Sequence, residues 1–458
     1  MLGVVVSRAD RASEHVGEHL LDLLDWDRID PDDGDAVAAY RAEGAELREF
    51  EDWHLELDGI AGAFEADLDL LVFASRHSGE TGPLLTAHHT GNFGPAEHGG
   101  EPNALARACP HAHSEVLEAL ETHAPADYDV GMECTHHGPT DVGVPSMFVE
   151  VGSGEPQWED PAAAEAVARA ILDLRGVAPD ADPEPATPAA TGETGPETVR
   201  RHLVGFGGNH YAPRFTRIVR ETDWAVGHLA ADWGLDAMGD PAQNRDLVEA
   251  AFAESAATHA VIDGDHPDLA AEIEALGYRT VGETWVQEVT GVPVALATRL
   301  EAALSPVAEG LRFGDPARDA APDADFETVS LPEALFEAAQ GVDQDRSRAI
   351  VAERALAFET DENGNRVAGD AALASGEAYE AIIDGIVSLL EAGYDAVERQ
   401  ADAVVVRTET FDPGKAKTLG VPEGPKFGRL SAGEPVEVNG RTIPPAEVRS
   451  QREDRFPL

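Results

Sequence analysis

Short apolar runs alternate with amphipathic stretches along the first part of the chain. Val4–Val6 and Asp69–Ala74 have the composition of buried strands, whereas Ala12–Leu24 and Asp160–Leu174 have the apolar spacing of helices. Further strand-like runs are Tyr128–Glu133, Met147–Val151, Val199–Phe206, Trp224–Ala230, Ala260–Asp263 and Arg279–Val286. The alternation of strands and helices predicts an α/β domain with a parallel or mixed sheet over residues 1–289.

Two parts of the chain depart from this pattern. Residues 177–198 are rich in Pro, Ala, Thr, Glu and Gly, which predicts an acidic, disordered-like loop insertion. From Pro293 onward, the patterns indicate helices and then a strand and a hairpin: Val294–Leu304, Pro332–Gln340, Ala374–Ala392, Ala403–Thr408 and Glu434–Arg441. We therefore predict a mainly helical extension over residues 293–458 that ends in a small β element, with no function indicated by its sequence.

The chain is strongly acidic. Asp and Glu number 87 against 33 Lys and Arg, for a formal net charge of −54, and lysine occurs only at Lys415, Lys417 and Lys426. Such like charge opposes compaction at low salt, but molar salt shortens the screening length to ~3 Å. Hydrophobic residues make up 43% of the chain, which argues against general disorder. The composition therefore indicates a globular protein adapted to concentrated salt, and the charge does not exclude an RNA partner in molar salt.

The sequence gives no membrane or secretion signal. No apolar stretch approaches the ~20 residues of a membrane helix, and Met1–Arg8 lacks the features of a signal peptide. Two cysteines, Cys109 and Cys134, do not make a disulfide framework, and Cys134 is expected to be a buried thiol. We expect a cytoplasmic protein that does not associate with membranes.

Histidines are concentrated in a few Gly- and Pro-rich segments, several of which follow a predicted strand. The segments are Ser75–Pro83, Thr86–Gly94, Glu133–Thr140 and Gly208–Thr216. Ligand sites of open α/β sheets form at the carboxyl ends of strands, so these side chains are expected to converge on one crevice. Histidine and carboxylate are zinc ligands, and bound zinc lowers the pKa of water to about 7, as ester hydrolysis requires. His111, His113 and His123 lie on or beside a helix and are expected at the surface.

At these segments the sequence resembles the archaeal and plant type of D-aminoacyl-tRNA deacylase, also called D-tyrosyl-tRNA deacylase. The match rests on Ser75–His77, Thr90–Gly94, Thr135–Thr140 and His210–Thr216, and covers about Met1–Val289 without the insertion. The resemblance implies a three-layer α/β/α phosphorylase/hydrolase-like fold and a monomer that uses zinc, up to two ions. It also implies hydrolysis of the ester between a D-amino acid and the tRNA 3′ end, which serves chiral proofreading.

The same match supplies candidate site residues. The catalytic candidates are His77, Glu133, His136, His137 and His210, and the metal-ligand candidates are His77, His136, His137 and His210. The substrate-binding candidates are Arg76, Asn92, Phe93, Gly138, Pro139, Tyr211 and Arg214. Glu133 is expected to be a ligand or general base, and Arg214 to contact the terminal phosphates or the substrate carbonyl. Gly138 and Pro139 are expected to shape rigid backbone around the chiral centre.

Other functions remain open at this point. The same fold class could host a zinc-dependent peptidase or amidase, which amide substrates would distinguish from an esterase. A non-catalytic RNA-binding protein would need aromatic and basic surfaces, yet aromatics are only 6% of the chain. The chain lacks a Gly-x-Ser-x-Gly nucleophile elbow and a Gly-x-x-x-x-Gly-Lys-Ser/Thr phosphate loop, which argues against a serine hydrolase and a P-loop enzyme.

Overall fold

The computed structural model describes residues 1–31, 36–186 and 198–458. The chain divides into two compact units, Met1–Thr290 and Gly291–Leu458. Within the described ranges, no helix combines the length and apolar character that a membrane crossing needs.

The first unit contains most of the predicted alternating strands and helices. Its strands are β1 Leu2–Ser7, β2 Asp27–Ile29, β3 Ala36–Ala42, β4 Ala45–Phe50, β5 Leu70–Arg76, β6 Leu84–His88, β7 Gly91–Asn92, β8 Ala104–Leu105, β9 Asp129–Met132, β10 Ser146–Gly152, β11 Glu184–Pro185, β12 Thr198–Val199, β13 His202–Gly207, β14 Ala225–Ala230, β15 His259–Asp263 and β16 Arg279–Val281. Its helices are α1 Arg11–Leu23, α2 Pro110–His123, α3 Glu155–Trp158, α4 Pro161–Asp173, α5 Pro213–Glu221, α6 Asp232–Met238, α7 Arg245–Glu254, α8 Pro267–Ala275 and α9 Glu283–Val289.

An eight-stranded mixed sheet forms the centre of this unit, in the order β2-β3-β4-β1-β5-β10-β6-β9. Strands β4, β1, β5 and β10 run parallel, whereas β6 is antiparallel to β10 and parallel to β9. Helices α1, α2 and α4 pack against the sheet and each other. The predicted α/β fold with a mixed sheet is therefore confirmed.

A second, four-stranded parallel sheet has the order β14-β13-β15-β16. Helices α7 and α8 bury their apolar residues against Val204, Phe206 and Ala260 of this sheet. One predicted element is shorter than expected: the run Arg279–Val286 is extended only as far as Val281, and α9 begins at Glu283.

The described ends of the predicted insertion are ordered parts of the first unit. Arg107 pairs with Asp180 at 2.6 Å, and the Pro179 carbonyl accepts from the backbone N–H of His111 at 3.0 Å. Strands β11 and β12 pair with each other in antiparallel fashion. The expectation of a solvated loop over residues 177–198 is therefore wrong for 177–186 and Thr198, because these residues have ion-pair and backbone partners. Residues 187–197 lie outside the described residues.

The second unit is mixed rather than mainly helical. Its strands are β17 Arg312–Phe313, β18 Glu327–Ser330, β19 Ala357–Asp361, β20 Arg366–Leu373, β21 Ala396–Arg399, β22 Ala403–Phe411, β23 Val436–Val438, β24 Arg441–Ile443 and β25 Arg449–Pro457. Its helices are α10 Val294–Ala303, α11 Asp315–Arg318, α12 Glu333–Gln340, α13 Gln344–Ala352, α14 Gly376–Leu390, α15 Pro413–Thr418 and α16 Pro425–Ser431. The three predicted helices are present as α10, α12 and α14, and the predicted strand is part of β22. The hairpin turning at Asn439 and Gly440 is also confirmed. The expectation of a mainly helical extension is wrong because charged residues between the apolar ones hide strands β18 to β21.

Candidate active site

Strand register places several side chains at and around the site on one face of the eight-stranded sheet. Glu150 of β10 is paired with Ser75 of β5 and with Thr86 of β6, and Phe148 is paired with His88. Cross-strand partners point to the same face, and side chains two residues apart on a strand do so as well. The side chains of β5, β10 and β6 that share this register therefore meet over the middle of β10.

This arrangement differs from the one expected from the sequence. The histidine segments were expected to meet because carboxyl ends of parallel strands lie at one edge of a sheet. Strand β6 instead runs antiparallel to β10, and β5 runs parallel to it. His77 and His88 approach each other because both lie beside Glu150, at 3.9 Å from Nδ1 of His77 and 3.8 Å from Nε2 of His88.

Three imidazoles, buried His88 and half-buried His136 and His137, form what we call the trihistidine cluster. Their ring centroids lie 4.4 to 4.7 Å apart. Each Nδ1 lies within hydrogen-bond distance of a backbone carbonyl: 3.0 Å from His89, 2.8 Å from Cys134 and 3.0 Å from Gly138, respectively. If each Nδ1 carries the proton and donates it, each Nε2 keeps its lone pair. One ligand nitrogen from each ring lies within 4.8 Å of the others, which is suitable for a metal ion.

A second group is centred on Glu133, which follows β9. One carboxylate oxygen lies 3.1 Å from Nδ1 of His77, and the other lies 2.7 Å from Nε2 of His210. Burial alone would raise the pKa of Glu133, but the hydrogen bonds from His210 and His77 lower it well below its usual range. Glu133 is therefore an ionised acceptor that orients two imidazoles. Its group could also hold a metal, as could Cys134 with His136 and His210.

The environment sets different protonation preferences within the cleft. Burial and the neighbouring His88 lower the pKa of His136 to about 3, and burial together with His136 lowers the pKa of His137. Burial opposes protonation of His77 and His88 as well, but the carboxylates of Glu133 and Glu150 raise their pKa values. His136 and His137 are therefore neutral near pH 7, which is the form that binds a metal.

Three of the predicted substrate-binding residues, Arg76, Tyr211 and Gly138, lie beside these groups. The cleft that contains them has a volume of about 660 Å³, and Arg76, His77, His136, His137 and His210 are among its lining residues. The Tyr211 hydroxyl lies 3.4 Å from Nε2 of His77. Gly138 also lies at the cleft, because its carbonyl faces Nδ1 of His137.

The glycine at 138 is required by close packing. A Cβ there would lie 2.5 Å from the backbone nitrogen of Gly100 and 2.5 Å from the carbonyl carbon of Gly99. The next peptide bond, between Gly138 and Pro139, is cis. The backbone at Gly138 therefore lies against the neighbouring loop, next to the trihistidine cluster.

Three other predicted substrate contacts have partners within the protein. Arg214 pairs with Asp263 and with Glu283, each at 3.0 Å, so its guanidinium is already neutralised. Asn92 donates to the carbonyl of Gly99 at 2.9 Å, and Phe93 is 3% exposed in the core against the four-stranded sheet. These contacts do not bring Arg214, Asn92 or Phe93 to the cleft.

Several residues at or next to the cleft were not among the sequence candidates. His88 and Glu150 complete the histidine and carboxylate groups, and Trp53 and Trp158 both contact Arg76. The signal for His88 is present in the sequence, because it belongs to the second histidine segment. A carboxylate inside the apolar run Met147–Val151 is the corresponding signal for Glu150. The two tryptophans had no signal, since they are remote from every histidine segment.

The remaining histidines have other surroundings. His113 is 1% exposed, so the expectation that it lies at the surface is wrong. It packs against His89, with ring centroids 4.7 Å apart, and His228 lies on the other side of His89 at 5.8 Å. Cys134 is buried as expected, and burial raises the pKa of its thiol to about 12.

Comparison with known proteins identifies the family. A family profile described as D-aminoacyl-tRNA deacylase matches residues 64–279. D-aminoacyl-tRNA deacylases from Halorubrum lacusprofundi and Haloarcula marismortui are 54% and 53% identical, each over 100% of this chain, and over 97% and 100% of their own lengths. The chain belongs to the D-aminoacyl-tRNA deacylase family. The comparisons do not favour a peptidase or a non-catalytic RNA-binding protein.

A solved structure resembles part of the chain. The conserved protein of unknown function AF0625 is 28% identical, with a TM-score of 0.54, over 63% of this chain and 98% of its own. The two halophile relatives instead align along the whole chain, so they share the second unit, Gly291–Leu458, as well.

Proposed function

We propose that this chain hydrolyses the ester of D-aminoacyl-tRNA at the cleft that holds the trihistidine cluster, releasing a D-amino acid and tRNA. The observation that carries the proposal is the convergence of three imidazoles beside an ionised Glu133, in a chain of the deacylase family. Imidazoles that can exchange a proton near pH 7, together with an ionised carboxylate, are the groups that activate water for attack on an ester.

The residues of the trihistidine cluster fit a zinc ion. Nε2 of His88 is buried and has no hydrogen-bond partner, which costs free energy unless a ligand supplies one. The carbonyls that face Nδ1 of each ring are the outer partners that metal-bound imidazoles use in other proteins. We therefore place zinc on His88, His136 and His137, and not on the set His77, His136, His137 and His210 expected from the sequence. A second ion would have to use His77, Glu133 and His210, whose mutual hydrogen bonds it would displace.

The chain's own residues then have distinct tasks. Zinc, when bound, would polarise the ester carbonyl and lower the pKa of a water molecule. Glu133 faces Nδ1 of His77 and Nε2 of His210, so a proton on each of these nitrogens leaves the lone pair on the opposite one. Nε2 of His77 lies 3.4 Å from the Tyr211 hydroxyl, and Nδ1 of His210 lies 3.5 Å from the Cys134 sulfur. One of these nitrogens accepts the proton of the attacking water and returns it to the leaving ribose hydroxyl. The ribose ester is an activated bond, so the reaction needs no covalent intermediate on the protein.

Gly138 and Pro139 supply the wall beside this chemistry. The Gly138 carbonyl fixes His137, and the backbone of Gly99 and Gly100 leaves no room for a side chain at position 138. A rigid wall beside the α-carbon of the substrate would admit the side chain of one enantiomer and exclude the other. We propose that this segment contributes to selection of the D-amino acid, in a monomer that acts in the cytoplasm.

The decisive test uses purified protein in molar KCl with D-Tyr-tRNA, L-Tyr-tRNA and a D-tyrosyl amide. We expect rapid release of tyrosine from D-Tyr-tRNA, little from L-Tyr-tRNA and none from the amide. The His136→Ala variant, checked for folding by circular dichroism, should lose the activity. Equal hydrolysis of the amide would instead support a peptidase, and full activity of a folded His136→Ala variant would remove the chemistry from this cleft.

A further inference from the structure

The guanidinium of Arg76 contacts two indole rings at the cleft. Its central carbon is 4.6 Å from the ring centroid of Trp53 and 4.7 Å from that of Trp158. Two cation–π contacts restrain the flat guanidinium. Trp158 is itself fixed, because its indole N–H donates to the carbonyl of His77 at 3.0 Å.

The backbone of Arg76 is held as firmly as its side chain. Its N–H donates to the Asp10 carboxylate at 2.9 Å, and Asp10 also caps helix α1 through the N–H groups of Ala12 and Ser13. Arg76 is the last residue of β5, and the next residue is His77. Strand β5 therefore positions both the Arg76 guanidinium and His77, which is a candidate catalytic residue.

Arg76 lacks the acidic partner that most arginines of the first unit have. Arg214, for comparison, pairs with two carboxylates. Throughout the described ranges 1–31, 36–186 and 198–458, no carboxylate lies within salt-bridge distance of the Arg76 guanidinium, although the chain has 87 acidic residues. The carboxylates among the residues that line the cleft, Glu56 and Glu97 at its exposed rim and buried Glu150, do not reach it.

We infer that Arg76, held by Trp53 and Trp158, binds a phosphate of the RNA 3′ end while the ester lies at the trihistidine cluster. A guanidinium presents two parallel N–H donors to a phosphate, and its π-stacked faces leave those edges free. The phosphates nearest the scissile ester are those of the terminal nucleotides, so an anion site next to His77 suits them. This role replaces the phosphate contact expected of Arg214 and rests on the proposed function.

The test is a series of substrates that differ in phosphate content, assayed with wild type, Arg76→Gln and Arg76→Lys. The series comprises D-Tyr-tRNA, D-tyrosyl-adenosine, and D-tyrosyl-adenosine with a 5′-phosphate. We expect Arg76→Gln to raise KM for D-Tyr-tRNA by about 10- to 100-fold, the effect of one charged hydrogen-bonded contact, with little change in kcat. The same variant should act on phosphate-free D-tyrosyl-adenosine as wild type does, and Arg76→Lys should recover part of the loss.

Binding of the RNA trinucleotide CCA, without an attached amino acid, can be measured independently of turnover. Arg76→Gln should weaken it by a similar factor, whereas Arg169→Gln, on the exposed face of α4, should not. Inhibition by free D-tyrosine should be unchanged, because the inference assigns Arg76 to phosphate and not to the carboxylate of the product. Equal losses on substrates with and without phosphate, unchanged trinucleotide binding, or weaker inhibition by D-tyrosine would each overturn the assignment. A wild type that binds the trinucleotide through Arg76 but hydrolyses none of the esters would overturn only the proposed function.

Discussion

Two groups of three histidines lie close together in the first unit, and they differ in access to the cleft and in the carboxylates beside them. The trihistidine cluster of His88, His136 and His137 faces the cleft, beside the buried carboxylates Glu133 and Glu150. The second group, His89, His113 and His228, is fully buried. Its hydrogen-bond partners are neutral groups of the protein.

The second group uses its ring nitrogens to hold the structure together. His228 places Nδ1 at 3.1 Å from the Thr135 hydroxyl and Nε2 at 2.8 Å from the Ala106 carbonyl, so neither nitrogen is free for a metal. His89 bonds the Gly227 carbonyl at 3.0 Å through Nδ1. Density of histidine therefore does not identify the site. A ring nitrogen without a hydrogen-bond partner does not identify it either, because Nε2 of His89 and both ring nitrogens of His113 have none among the described residues. Neighbouring buried carboxylates and access to the cleft do.

Consecutive residues belong to the two different groups. His88 is the last residue of β6, and His89 follows it. Neighbouring side chains of an extended chain point in opposite directions, so His88 faces the cleft while His89 faces the second group. A shift of one residue in the register of β6 would exchange the two.

The largest effect is expected from removing the charge of Glu133. In Glu133→Gln the acceptor that orients His77 and His210 is lost, so single-turnover hydrolysis of D-Tyr-tRNA should fall by about 10²- to 10⁴-fold. Glu165→Gln, which changes a carboxylate on the exposed face of α4, is the matched control and should react as wild type. A folded Glu133→Gln protein with wild-type single-turnover rates would contradict the role of Glu133.

A smaller effect is expected from Gly138→Ala, a substitution next to His137 of the trihistidine cluster. The new Cβ would lie 2.5 Å from backbone atoms of Gly99 and Gly100, so the carbonyl that holds His137 must move. We expect a loss of about 1–3 kcal/mol of unfolding free energy together with slower turnover. Gly282→Ala, where a Cβ meets nothing within 4 Å, should change neither quantity. Stability is measured by thermal unfolding and activity by turnover, both at fixed KCl concentration. If Gly138→Ala and Gly282→Ala had the same stability and turnover, the close packing at Gly138 would not be needed.

The second group of histidines should affect the stability of the protein at acidic pH and not its catalytic activity. Burial lowers the pKa of His228 to about 4, below the ~6.5 of an unfolded histidine. The unfolded state therefore binds more protons between these values, so the stabilisation is complete above about pH 6.5 and is lost as pH falls toward 4. In His228→Gln the decline of unfolding free energy from pH 6 to 5, measured by denaturant titration in molar KCl, should be shallower by about 1 kcal/mol. An unchanged slope would show that His228 is not held neutral by burial.

The sequence allowed the α/β class, about half of the described strands of the first unit and five of the cleft residues to be predicted, because these depend on local patterns. Apolar runs report buried strands directly, and histidines that follow such runs are found near one another. The strand directions were not accessible, since β6 and β9 look like their parallel neighbours in sequence.

The parts of the site that were missed depend on tertiary contacts. Glu150 is unusual only because β5 and β6 bring His77 and His88 to it, and Trp53 and Trp158 matter only because both meet Arg76. Arg214 resembled an anion-binding residue in sequence, but Asp263 and Glu283 are brought to it by β15 and α9. Charge pairing of this kind has no periodicity from which it could be predicted.

The most direct test of the central claim compares His88→Ala with His113→Leu, one substitution in each group of histidines. Zinc content is measured by atomic emission on protein purified in molar KCl, together with single-turnover hydrolysis of D-Tyr-tRNA, after circular dichroism confirms folding. The account predicts that His88→Ala loses zinc and activity together, because ligation and water activation depend on the same ion. His113→Leu should keep both. Full zinc occupancy in an active, folded His88→Ala protein would contradict the assignment of the metal to the trihistidine cluster.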